Sequence, residues 1–247
     1  MSYQDLASVY DFLMEDIDYE AWANYLVTLI DQSQVTGNKI LDLGCGTGKI
    51  SLLLAQKGFD VVGVDNSIEM LTEAEQRFRQ HNAKVSLYKQ DIRNLTINEK
   101  VDIAISTFDT FNYLLTEDDL LKAFSNVYKI LTNNGVLIFD INTYYYLKTI
   151  LGNNIFTYNT PELVYLWENE FCETRDVCQM NLTFFVQEAE EESYVRFDEE
   201  HKQKAFKLEK VRELLTKVEF KQINVYGKLS FTDPINEEEK VFFIAKK

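Results

Sequence analysis

The segment Lys39-Ile40-Leu41-Asp42-Leu43-Gly44-Cys45-Gly46-Thr47-Gly48-Lys49 constrains the fold of this chain more than any other. A short apolar run enters three glycines at alternate positions, and a helix-periodic run follows. Glycine has no Cβ, so the backbone can turn sharply there and approach a ligand closely. The helix behind the turn aims free N–H groups at whatever sits on it. Strand, glycine turn and helix in this order read as a nucleotide-handling loop. Asp42, just ahead of the glycines, puts a carboxylate beside it.

The surrounding pattern extends this unit into a sheet. Strands are expected at 39–43, 60–65, 85–89, 101–106 and 136–140, and helices at 47–57, 67–80 and 117–131. The strand runs Val61-Val62-Gly63-Val64, Ile103-Ala104-Ile105 and Val136-Leu137-Ile138-Phe139 are nearly all apolar, as in sheets covered on both faces. Alternating β and α then predicts an α/β fold with a parallel, doubly wound sheet. Two helices precede it, one on Leu6, Val9, Tyr10 and Leu13, the next on Trp22, Leu26, Leu29 and Ile30. Beyond about residue 142 the period changes. Cys178, Met180, Leu182, Phe184 and Val186 alternate with mostly polar neighbours, the mark of a half-buried strand. With 163–167 and 193–203 this predicts a small sheet of three antiparallel strands. A helix at 208–218 and strands at 220–226 and 240–245 return to the main fold. The division is therefore 1–142 with 206–247 as one domain, and 143–205 as an antiparallel β insert.

Charge and composition narrow the partners. The formal net charge of −15 weighs against nucleic acid. No apolar run approaches the roughly 20 residues a membrane span needs. The acidic, polar start does not read as a secretory signal, so a cytoplasmic protein is expected. Three cysteines without CxxC spacing and two histidines argue against a metal site. Exposed edges of an insert sheet would allow a homodimer.

Ligands of open α/β sheets bind at the carboxyl ends of the strands. The glycine turn ends the first strand and Asp65 the second, where a carboxylate can accept both ribose hydroxyls. Asp91 and Ile92 follow the third, placed to read an adenine amino group and ring nitrogen. A dinucleotide loop reads G-x-G-x-x-G; here Gly48 comes one place early. Asp42 would repel a pyrophosphate and suits an amine or sulfonium instead.

These motifs resemble those of class I S-adenosylmethionine (SAM)-dependent methyltransferases. Ile40 to Gly48 is similar to their first motif, Val62-Gly63-Val64-Asp65-Asn66-Ser67 to the second, and Gln90-Asp91-Ile92 to the third. The likeness covers about residues 35 to 142. It implies a seven-stranded, mostly parallel Rossmann-like sheet whose last strand, at 240–245, is antiparallel. It also implies SAM as cofactor, with Gly44 and Gly46 against the methionine part, Asp65 on the ribose, and Asp91 with Ile92 at adenine. Asp42, Cys45, Gly48, Asn66, Met70 and Phe108 complete the expected cofactor set. The remainder is similar to bacterial small-molecule methyltransferases of the glycine N-methyltransferase and deoxysugar N,N-dimethyltransferase type. Those carry a β insert over the active site, so 143–205 would be a lid. Tyr10 would close over the methionine moiety, or pack in the core.

The expected activity is methyl transfer to a nitrogen or oxygen of a small-molecule acceptor, with no metal required. Asp109 and His201 are the candidate catalytic residues: Asp109 to hold a cationic amine or act as base, His201 as a base titrating near neutrality. Asn112, Tyr113 and Tyr144 are the candidate acceptor contacts. Phe108-Asp109-Thr110-Phe111 carries neither proline of the Asn/Asp-Pro-Pro-aromatic motif of nucleic-acid amino methyltransferases. Two alternatives stay open: an NAD(P)-dependent oxidoreductase, which the early third glycine disfavours, and a non-catalytic SAM-binding module.

Overall fold

The structure is a computed structural model and describes residues 13–188 and 193–247. Most of the expected opening helix, with Tyr10, lies outside the described residues. The first described helix, α1 (Tyr19–Gln32), starts where the Asp18 carboxylate accepts the Ala21 N–H, and it buries Trp22, Leu26, Leu29 and Ile30. Strand and helix then alternate: β1 (Lys39–Leu43), α2 (Lys49–Gln56), β2 (Asp60–Asp65), α3 (Ile68–Gln80), β3 (Ser86–Lys89), β4 (Val101–Ser106), α4 (Glu117–Ile130) and β5 (Leu131–Asn142). Ser67 caps α3 by accepting the Met70 N–H, and Thr116 caps α4 by accepting that of Asp119. Both caps satisfy donors that have no partner inside the helix.

After β5 come β6 (Ile155–Asn159), β7 (Leu163–Cys172), β8 (Val177–Gln187) and β9 (Tyr194–Lys204), then α5 (Leu208–Lys217), β10 (Lys221–Gly227) and β11 (Lys240–Lys246). The main sheet has the order β10-β11-β5-β4-β1-β2-β3. Its β1–β2, β1–β4, β2–β3 and β4–β5 pairs are parallel, while β11 runs antiparallel to both β5 and β10. The second sheet, β6-β7-β8-β9, is antiparallel throughout.

Alternate residues of each main-sheet strand feed two separate cores. Leu41, Val62, Ala104 and Leu137 pack with Phe124 and Leu215 of α4 and α5. Ile40, Val61, Ile103 and Ile138 pack with Leu26 and Leu54 of α1 and α2. This two-sided burial is why the strands read as continuous apolar runs.

Three expectations change. Helix α2 begins at Lys49 because Gly48, at φ 77°, sits in the left-handed region and caps it. Strand β5 begins at Leu131 rather than at 136 and takes in Asn133-Asn134-Gly135: Asn134 has φ 66°, and the β4–β5 register shifts between Val101 and Ile103. The insert sheet has four strands, because β6 adds to the three expected. Four of its five residues are exposed, so it carries no alternation to read. The insert is seated by Leu163 and Phe184 on Met70 of α3, and within it Phe171, Cys178 and Met180 pack on Leu147 and Leu151.

Candidate functional site

The carboxyl ends of β1, β2 and β4 and the turn after β3 open on one cavity of about 370 Å³. The glycine turn forms its floor. Gly44 donates its N–H to the Val64 carbonyl at 2.8 Å. A Cβ on Gly46 would have nothing within 4 Å, so open space lies directly above that residue. Gly48 serves a different purpose. A Cβ there would stand 2.6 Å from Phe78 Cζ and 3.0 Å from the Ala74 methyl, so its bareness lets α2 and α3 approach. Gly44, Cys45, Gly46 and Thr47 line the cavity; Gly48 does not.

Asp65 faces the cavity from the end of β2. One carboxylate oxygen accepts the Gly46 N–H and the other that of Ser67, both at 2.9 Å. Burial raises its pKa, and these bonds offset that rise only in part. Each oxygen keeps a lone pair for a ligand hydroxyl. Asn66, Met70, Asp91, Ile92 and Phe108 line the same space. Asp91 is gripped by Arg93, whose Nε lies 3.0 Å from both carboxylate oxygens and whose Nη2 lies 2.6 Å from one. The Arg93 side chain holds the Asp91 carboxyl below its usual range.

Asp42 does not reach the cavity wall. It is buried beneath the turn, with one oxygen accepting the Ser51 hydroxyl at 2.6 Å and the other, Oδ1, without a hydrogen-bond partner. Burial pushes its carboxyl up to about 7, with Ser51 opposing and Asp65 adding.

The segment after β4 holds most of the surprises. Phe108 and Asp109 are consecutive non-glycine residues at φ 58° and 56°. The Phe108 ring stacks on Trp22 at 4.5 Å. Asp109, expected to face an amine or act as base, is engaged on both oxygens: Lys240 Nζ donates at 2.8 Å and Gln203 Nε2 at 2.6 Å. It lies behind the cavity wall, because its partners come from β9 and β11. Asn112 is a structural bridge, donating to the carbonyls of Asn142 and Lys204 at 3.1 and 3.0 Å and accepting the Asn142 N–H at 2.9 Å. Tyr113 does line the cavity, and its hydroxyl lies 3.3 Å from His201 Nδ1. His201 is 9% exposed. Burial lowers its pKa, partly offset by Asp109. Tyr144 points elsewhere, donating its hydroxyl to Asp176 at 3.1 Å and packing edge-on against Phe171.

Several participants gave no sequence signal. Tyr19 and Lys49 line the cavity, with the Lys49 ammonium 4.5 Å from the Tyr19 ring centroid. Asp140, Gln203 and Lys240 meet Asp109 only through long-range pairing, which no local pattern reveals. Lys240 is expected only as the first residue of the strand at 240–245, directly after Glu237-Glu238-Glu239, and nothing local points it at Asp109.

Residues 40–135 match the family of methyltransferase domains. A putative methyltransferase of Bacillus subtilis, YqeM, is 34% identical over all of this chain and 98% of its own. A crystal structure of an S-adenosylmethionine-dependent methyltransferase from Clostridium acetobutylicum is 38% identical and superposes with a TM-score of 0.90, covering 99% of this chain and 98% of its own. The chain belongs to the S-adenosylmethionine-dependent methyltransferases. The glycine/sarcosine N-methyltransferase of Aphanothece halophytica is 31% identical over 85% of this chain and 76% of its own. SAM is therefore the cofactor, and the oxidoreductase alternative falls. Among the described residues, no helix is long and apolar enough to cross a membrane.

Proposed function

We propose that this methyltransferase moves a methyl group from SAM to the nitrogen of a small, amine-bearing acceptor held between the cavity and the β insert. The observation that carries this reading is the open floor at Gly46 beside Asp65, a bare amide surface and a carboxylate facing one cavity. The cavity residues fit the cofactor. Asp65 has lone pairs for the ribose hydroxyls, Asp91 and Ile92 stand where adenine would lie, and Gly44, Cys45 and Gly46 floor the methionine portion. Asn66, Met70 and Phe108 would wall it. Asp42 and Gly48 support the turn from below and behind. When bound, SAM supplies a methyl carbon made electrophilic by its sulfonium.

The chain's own residues then orient the acceptor and manage its proton. Tyr113 presents a hydroxyl at the cavity wall, and His201 stands behind it at 3.3 Å. An imidazole kept from charging by burial can accept a proton near neutral pH. We assign the base role to this pair rather than to Asp109, whose carboxylate already holds Lys240 and Gln203. Residues 143–205 act as the lid, and Tyr144 stiffens it. The similarity to a glycine/sarcosine N-methyltransferase and the net charge of −15 both support a small amine over nucleic acid. The test is release of S-adenosylhomocysteine (SAH) against a panel of amino acids, amino sugars and polyols. Turnover confined to amines is expected, and His201→Gln should lower kcat and flatten its rise with pH. Turnover of hydroxyl acceptors alone would refute the nitrogen assignment. SAM binding without any turnover would favour a non-catalytic binding module.

A further inference from the structure

Behind the cavity wall lies a buried polar cluster that the proposed chemistry does not use. Asp140, on β5, is fully buried. Its two oxygens accept the consecutive N–H groups of Phe108 and Asp109, each at 2.7 Å. Lys240, on the neighbouring β11, bridges Asp140 and Asp109 at 2.8 Å each. Burial alone would lower the pKa of Lys240, but the two carboxylates outweigh it and hold it as the cation. Burial and Asp109 push the Asp140 carboxyl up and Lys240 draws it back; three donors converge on it, which favours the anion. Asp109 is bound in turn by Gln203 of the insert strand β9. The other end of that amide accepts Asn142 Nδ2 at 2.9 Å. Asn142 then joins Asn112, which reaches back to the Lys204 carbonyl of β9.

This arrangement answers a steric problem. Two successive L-residues in the left-handed region do not persist unless their surroundings over-determine them. Asp140 captures both amides, so the elbow exists because that carboxylate is there. Asp140 stays in the interior because Lys240 neutralises it. The elbow aims the Phe108 ring into the cavity wall and against Trp22.

We propose that Asp140, Lys240 and Asp109 form a positioning clasp that sets the Phe108 elbow against the cofactor cavity, and that Gln203 couples this clasp to the seating of the β insert. An insert docked through Gln203 and Asn142 tightens the wall on the cofactor; an insert that loses those bonds loosens it. These are positioning residues, since none of them lines the cavity. The inference rests on reading that cavity as the SAM site.

The chain has two tryptophans, Trp22 and Trp167. In a Trp167→Phe background, emission from Trp22 reports the stacked Phe108. SAH affinity by calorimetry and the Trp22 spectrum are measured in Lys240→Met, Lys240→Arg, Gln203→Ala and Asp65→Ala. Lys240→Met is expected to weaken SAH binding tenfold or more and to shift the ligand-free Trp22 emission. Lys240→Arg, which keeps the cation, should restore both to near the parent, a rescue that general loss of packing would not give. Gln203→Ala should weaken SAH several-fold from the far side of the elbow. Asp65→Ala should abolish SAH binding and leave the ligand-free Trp22 spectrum unchanged. Should Lys240→Met not fold, Gln203→Ala and Asp109→Asn carry the same expectation. A folded Lys240→Met that binds SAH with the parent's affinity and Trp22 spectrum overturns the clasp. Unchanged affinity in Gln203→Ala overturns the coupling. Parent-like SAH binding by Asp65→Ala removes the cavity assignment itself, an outcome independent of the other two.

Discussion

A carboxyl group kept from water shows itself in how stability changes with pH. Asp42 has its pKa pushed from 3.8 to about 7 by burial. Between those values the folded chain holds a proton that the unfolded chain has released. Stability therefore falls as pH rises from about 4 to about 7 and levels off above, by up to about 4 kcal/mol for this group. Asp42→Asn carries no such charge and can still accept the Ser51 hydroxyl. Its urea midpoint should change far less between pH 5 and pH 8 than that of the parent, and at pH 8 it should be the more stable protein. If the two curves run parallel, Asp42 is not the group responsible. At this scale sequence reading was uneven. Asp65 faces the cavity, as a residue at the end of a strand was expected to. Asp109 does not, because its orientation is set by Lys240, which lies 131 positions away. His201 reads as one histidine in a charged strand, and only its register opposite Met180 in a buried sheet face explains its burial.

Among the elements, the glycine turn separates binding from stability. Gly46→Ala places a methyl in open space at the cavity floor. It should cost about 1–2 kcal/mol for the left-handed backbone and reduce SAH affinity at least tenfold by calorimetry. Gly48→Ala suffers the same backbone strain and drives its methyl into Phe78 and Ala74. Overpacking adds about 1–3 kcal/mol, so its melting temperature should fall well below that of Gly46→Ala. Equal losses of stability would refute the distinction. The insert has its own anchor in Phe184, fully buried against Met70 and Leu163. Phe184→Ala should cost about 3–5 kcal/mol and expose the insert to limited proteolysis before the main sheet. Strands of the main sheet were legible because burial on both faces leaves an uninterrupted apolar signature. Strand β6 was not, since it is a solvated strand that, among the described residues, pairs with β7 alone.

For the molecule as a whole, SAH should act as a stabiliser. At 100 times its dissociation constant a ligand adds about 2.7 kcal/mol to the folded state, which in a chain of this size raises the melting temperature by about 5–10 °C. NADH at the same concentration should shift nothing, and a comparable shift would mean that the cavity does not discriminate as described. The doubly wound order was implied by alternation and by the motifs at strand ends. The clasp was not, since it depends on which strands become neighbours. That adjacency carries a further implication for synthesis. Strand β11 inserts between β5 and β10, both translated before it. A nascent chain halted short of Lys240 has β5 with an unsatisfied edge and an elbow with no cation behind it. Such an intermediate is exposed to mispairing until β11 pairs into the gap between β5 and β10.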